Sequence, residues 1–148
     1  ASPPPADDVR AACRALAAAG DVDAAVYRAV ECSDVDVLLA ALDAVGIESV
    51  RDARPLPFGQ LTLLCLVQQL GTTLSRDDAA VATKLDWLQL AVLGLDAGDA
   101  RIRAYVPEVL RQVKACLEQL PPRTRSTHRA PVSILVRVIT SLLALPPP

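Results

Sequence analysis

The sequence predicts an all-α fold of seven to eight antiparallel helices stacked as hairpins. Apolar residues recur at helical spacing along most of the 148 residues, helix-starting and helix-stopping residues punctuate them at short intervals, and no stretch alternates as a strand does. Composition agrees. Apolar residues make up 52% of the chain but aromatics only 3%, so the core is built from Leu, Val and Ala, and Leu and Ala favour helix. A single domain of this length buries about 70% of the surface its unfolded chain exposes.

The first helix starts at Asp7 or Asp8 and runs to about Ala19, with Val9, Cys13 and Leu16 on one face and Gly20 as its stop. Asp21 opens a second through Ala25, Val26 and Val30. Ser33 or Asp34 opens a third, in which Val35, Leu38, Leu39 and Leu42 share a face, and Gly46 ends it. Ile47 to Arg51 has room for one further turn. Pro55 and Pro57 hold the residues before them extended, so the segment from Arg54 to Gly59 is a break. Gln60 to Leu70 is apolar almost all round, as befits a helix at the centre of a fold. Ser75 or Asp77 starts the next helix, with the stripe Val81, Leu85, Leu88, Val92 and Leu95. Asp99 caps a sixth, with Ile102, Val106, Val109, Leu110, Val113 and Leu117 inward. Pro107 requires either a kink there or a short turn ahead of a helix that holds it in its first turn. An arginine-rich connector, Pro121 to Arg129, leads to a last helix from about Pro131 to Ala144 with the stripe Ile134, Leu135, Val138, Ile139 and Leu142. Connections of 2–8 residues make neighbours antiparallel. There is no strict sequence repeat.

The prolines at both ends and the lack of any Met lead us to expect a fragment of a longer protein, with residues 1–148 as one domain and its ordered core at about 7–145. No apolar run approaches the ~20 residues of a membrane span. Cys13, Cys32, Cys65 and Cys116 lie far apart, without metal-ligand spacing, which fits free thiols in a reducing, intracellular setting. Catalysis needs convergent polar groups, and the residues offer none. The one imidazole, His128, lies in an arginine-rich loop, and a general base there would still need a nucleophile and an orienting group. The carboxylate pairs Asp7-Asp8, Asp21/Asp23, Asp34/Asp36 and Asp77-Asp78 all fall at helix starts, where they satisfy free N–H groups. No glycine-rich phosphate loop is present. We therefore expect no catalytic residue, no metal, no cofactor and no small-molecule substrate.

Charge is unevenly spread. Residues 1–100 hold 7 Lys/Arg against 15 Asp/Glu, and residues 101–148 hold 8 against 2. Arg103, Arg111 and Lys114 fall on the outer side of the sixth helix and join Arg123, Arg125, Arg129 and Arg137 in a basic surface. Such a surface is either an ordinary solvated face or a site for an acidic peptide or a phosphate backbone. Single-stranded RNA binders add stacking aromatics, and this region has only Tyr105, which favours a protein partner over a helical RNA-binding module. Trp87 is either a core residue or a partner anchor, and Lys84 is expected to face solvent. The candidate partner-binding residues are thus Lys84, Trp87, Arg103, Arg111, Lys114 and Arg137.

Several motifs resemble one family. Leu16-x-x-x-Gly20-Asp21 followed by Ala25-Val26-x-x-Ala29-Val30, then Asp34-Val35-x-Val37-Leu38, resemble the opening of the C-terminal domain of the enhancer-of-mRNA-decapping scaffolds, called Hedls in animals and Varicose in plants. Pro55 to Leu70, with its proline turn, Gln60, apolar run and Gln68-Gln69-Leu70, is similar to that family's central segment. Lys84-Leu85-x-Trp87-Leu88, Leu95-Asp96-x-x-Asp99 and Val109-x-x-Gln112-Val113 continue it in order. The resemblance spans about Leu16 to Leu143. It departs at Phe58-Gly59, where a small polar pair is commoner, and in the arginine-rich connector. It implies a helical-repeat-like (HEAT/armadillo-like) superhelical domain at the end of a long scaffold. It also implies a non-catalytic protein-interaction role in mRNA decay, with partners in the decapping machinery and a place in cytoplasmic processing bodies.

Overall fold

A computed structural model describes residues 6–53, 55–74 and 80–144. Among them are nine helices and no strand: α1 (Ala6–Ala18), α2 (Val22–Glu31), α3 (Val35–Val45), α4 (Ile47–Val50), α5 (Gln60–Thr72), α6 (Val81–Gly94), α7 (Val106–Glu118), α8 (Pro122–Thr127) and α9 (Arg129–Leu143). The all-α reading holds, and the count exceeds the expected seven to eight because the connector is itself partly helical. The chain divides into two compact units, residues 1–62 and 63–148.

In the first unit α1 packs on α2 and α3, and α2 on α3. Val9, Cys13, Ala25, Val26, Ala29, Val30, Leu38 and Leu42 are buried there. Asp21 caps α2 by accepting the Ala24 N–H (3.3 Å), and Asp34 caps α3 by accepting the Asp36 N–H (2.9 Å). Asp7 and Asp8 lie inside the first turn of α1 rather than ahead of it, where their charge still favours the helix dipole. Gly20 (φ +87°) and Gly46 (φ +76°) take the left-handed backbone that stops α1 and α3. Asp23, read from sequence as another helix-start carboxylate, instead reaches the proline segment and accepts the Gly59 N–H at 2.8 Å.

In the second unit α6, α7 and α8 all pack on α9. The stripes of α6 and α7 are buried as expected, from Val81 to Leu95 and from Ile102 to Leu117. The expected start of α6 at Ser75 or Asp77 lies outside the described residues. Asp99 does not cap α7. It holds a turn ahead of it, accepting the Arg101 N–H (2.9 Å) and pairing with the Arg101 guanidinium (3.1 Å), which lowers the Asp99 carboxyl below the usual range. Pro107 then falls in the first turn of α7, the second of the two expected arrangements.

Two faces differ from the sequence reading. Along α9 the structure buries Val132, Leu135 and Ile139, while Ile134 stays 43% exposed. Ile134 borders the polar side of the helix that holds Ser133, Arg137 and Ser141, so the buried stripe is narrower than the sequence reading made it. In α5, Leu63, Leu64, Leu66, Val67 and Leu70 are buried, but Leu61 is 46% exposed. All four cysteines are free, and burial raises the Cys13 and Cys65 thiols, so both behave as small hydrophobes. No described helix is long and apolar enough to cross a membrane.

Candidate functional site

The second unit carries a groove of ≈ 750 Å³ built by α7, α8 and α9. Arg129, Val132, Ser133, Val136, Arg137 and Thr140 line it from α9 at three- and four-residue spacing, which makes them one strip along that helix. The strip covers eleven residues' rise, about 16 Å at 1.5 Å each. Lys114 and Glu118, one turn apart, line it from α7, and Pro122, Arg125 and Ser126 from α8. Four cations thus converge with one carboxylate around a short apolar strip, Val132 and Val136.

Their present partners matter more than their number. Elsewhere in the chain Arg10, Arg51, Arg101 and Arg111 each pair with a carboxylate at 2.8–3.3 Å. Among the described residues Lys114, Arg129 and Arg137 enter no ion pair. Arg125 donates to the Glu118 carbonyl at 3.4 Å, near the C-terminus of α7, where a cation also suits the dipole. A ligand carboxylate or phosphate in the groove therefore displaces no internal salt bridge. Bidentate contact with guanidinium is the strongest pairing open to it.

The structure sorts the candidate residues into three groups. Lys114 and Arg137 come together in the groove. Arg103 and Arg111 are exposed but lie outside its lining, and Arg111 is held by Glu108 at 3.2 Å. Lys84 and Trp87 are not on the surface at all: Lys84 is 0% and Trp87 2% exposed. For Trp87 this is the core alternative. For Lys84 it reverses the expectation of a solvent-facing side chain. Lys84 stands three residues after Val81 and four before Leu88, on the buried stripe, and its ammonium donates to the Thr73 carbonyl at 2.8 Å. Ser126, Ser133 and Thr140 were not among the candidates. The four-residue steps Arg129, Ser133 and Arg137 were the signal that a single basic-hydroxylic face runs along α9.

The comparisons with known proteins concern this whole fold. Residues 13–135 match the family described as enhancer of mRNA-decapping protein 4, C-terminal. Proteins named enhancer of mRNA-decapping protein 4 are similar to the chain. The one from Danio rerio is 33% identical over 95 residues, 64% of this chain. The one from Xenopus laevis is 30% identical over 130 residues, 87% of it. The chain spans less than a tenth of the length of these relatives, 7% and 9% respectively. A crystal structure of the conserved C-terminal region of Ge-1 shares the fold, with a TM-score of 0.73 at 20% identity, covering 91% of this chain and 96% of that one. With a family match over most of its length and the same helical architecture, the chain belongs to the family of the C-terminal region of enhancer of mRNA-decapping protein 4.

Proposed function

We propose that this chain is a non-catalytic protein-docking module of an mRNA-decapping scaffold, and that the basic groove of α7, α8 and α9 is its docking surface. The occupant is an extended, acidic peptide segment of another protein of the decapping machinery, and docking supports complex assembly and localisation to cytoplasmic processing bodies. One observation carries this reading: Lys114, Arg125, Arg129 and Arg137 converge on a groove in which three of them have no ion-pair partner among the described residues. A strip of about 16 Å accommodates roughly five residues of extended chain at 3.3 Å each. Acidic side chains on such a segment meet the arginines, and an apolar one meets Val132 and Val136. The lining contains no aromatic residue on which a base would stack, which favours a peptide over single-stranded RNA.

The test is anisotropy of a fluorescein-labelled, aspartate- and glutamate-rich ten-residue peptide titrated with the chain. Reversing Arg129→Glu together with Arg137→Glu is expected to weaken binding at least tenfold, with helicity and melting temperature retained because both side chains are exposed. Arg103→Glu with Arg111→Glu, outside the groove, is the control and leaves affinity within about twofold. In cells, the groove variant of the full-length scaffold becomes diffuse. Equal peptide affinity for the groove variant and the unaltered chain would falsify the proposal.

A further inference from the structure

We propose that Ser126 is a phosphorylation site whose phosphate occupies the basic groove and closes it to an acidic partner, a regulation that rests on the groove being the docking surface. Ser126 lines the groove and is exposed, and no described residue accepts or donates a hydrogen bond to its hydroxyl. Its neighbour Thr127 is engaged, donating to the Arg123 carbonyl at 3.0 Å. Ser126 follows Arg123 by three residues and Arg125 by one, the charge pattern that arginine-directed protein kinases read.

Only one other serine or threonine of the chain, Thr140, follows an arginine by three residues. The two sites differ in what a kinase must undo. A kinase takes its substrate segment extended, so a helical acceptor has to unfold locally first. Thr140 lies in α9, whose Val132, Leu135 and Ile139 are core residues, and its hydroxyl donates to the Val136 carbonyl at 2.7 Å. Ser126 lies in α8, six residues that bury no side chain. Opening α8 gives up little packing, which puts it at the low-stability end of the fold. The arginine-rich connector thus combines an acceptor, its recognition arginine and a segment that opens at small cost.

In the transfer itself the Ser126 Oγ attacks the γ-phosphorus of a nucleoside triphosphate. The bond from that phosphorus to the β–γ bridging oxygen breaks, the nucleoside diphosphate leaves, and the hydroxyl proton passes to the kinase's base. The product carries a charge of about −1.5 to −2 and three strong acceptor oxygens. Those oxygens stand in a groove whose lining holds the cations Lys114, Arg125, Arg129 and Arg137, with Glu118 the sole carboxylate. A phosphate held there uses the same guanidinium groups that an acidic peptide needs.

The experiment treats residues 1–148 with an arginine-directed serine/threonine kinase and magnesium ATP, followed by phosphosite mapping and a phosphorus-31 NMR titration. We expect phosphate at Ser126, and none at that position in Ser126→Ala. The phosphate's second ionisation moves below its ordinary value of about 6, because neighbouring cations favour the dianion. Lys114→Gln with Arg129→Gln, which leaves the kinase motif intact, returns it to about 6. Affinity for the acidic ten-residue peptide falls at least tenfold on modification. Phosphate found only at Thr140 or nowhere, an unmoved ionisation, or peptide affinity unchanged by modification each overturns the proposal. Failure of the unmodified chain to bind the peptide instead removes the docking reading, while site mapping and the titration still decide whether the Ser126 phosphate occupies the groove.

Discussion

Lys84 places a fully buried ammonium against the Thr73 carbonyl at 2.8 Å, just beyond the C-terminus of α5. Its aliphatic stem fills space among the α6 core residues Val81, Leu85 and Leu88, while its head satisfies a carbonyl that has left the helical ladder. The two contributions separate by substitution. Lys84→Ala removes both and leaves a cavity, so it is expected to destabilise the chain by about 2–4 kcal/mol. Lys84→Met keeps most of the stem volume and loses only the head, and a loss of about 1–2 kcal/mol follows. Urea unfolding measures both, and equal losses would show that the stem contributes nothing. The position was legible in outline: its spacing from Val81 and Leu88 puts it on the stripe. What sequence reading lacked was the carbonyl at Thr73, because a lysine's ordinary place is in water and only a specific buried acceptor reverses that. Trp87, with no such conflict between chemistry and position, is buried as its spacing allows.

At the scale of elements, helix existence was readable wherever a cap and a stop bracket the apolar pattern. Asp21, Asp34, Gly20 and Gly46 each do structurally what their residue type suggests. Helix rotation was readable where one side is clearly polar, as in α7 and along most of α9, where Ile134 at the edge of the polar side was taken as inward. The contact of α5 with α7 was invisible, since it depends on one missing atom. A Cβ at Gly71 would stand 2.5 Å and 2.8 Å from the two methyl carbons of Val113 and 3.1 Å from its Cβ. Valine is branched at Cβ and stiff, so it has no flexible end to swing away. Gly71→Ala is therefore expected to destabilise by about 1–3 kcal/mol despite alanine's better helix propensity. Val113→Ala alone leaves a small cavity. The two substitutions together relieve the clash, so the double variant is less destabilised than the sum of the singles by about 1 kcal/mol or more. Denaturant melts of the four chains check this, and strict additivity would mean that α5 and α7 do not meet at Gly71.

Taken as a whole molecule, the chain separates charge along its length. Residues 1–62 carry 5 Lys/Arg against 10 Asp/Glu, and residues 63–148 carry 10 against 7. The trend was plain in the sequence, as was the family through the order of its motifs. The groove was not, because it needs the connector to fold as α8 against α9 and that segment offers no apolar periodicity. With a net charge of only −2, the chain exerts little long-range pull on an acidic ligand, so attraction comes from the few groove cations at short range. That sets the salt dependence. Release of counterions condensed on single-stranded nucleic acid gives a slope of log affinity against log salt near −0.7 per cation engaged, or about −3 for four. A short acidic peptide carries no condensed atmosphere and loses affinity only by screening, so its slope is expected to be shallower than about −2. Titrating the labelled peptide and a uridine oligonucleotide of ten residues between 50 and 400 mM salt separates the occupants. If the oligonucleotide binds more tightly at 150 mM, with a slope near −3 that Arg129→Glu and Arg137→Glu abolish, the groove is an RNA site and the protein-docking assignment is lost.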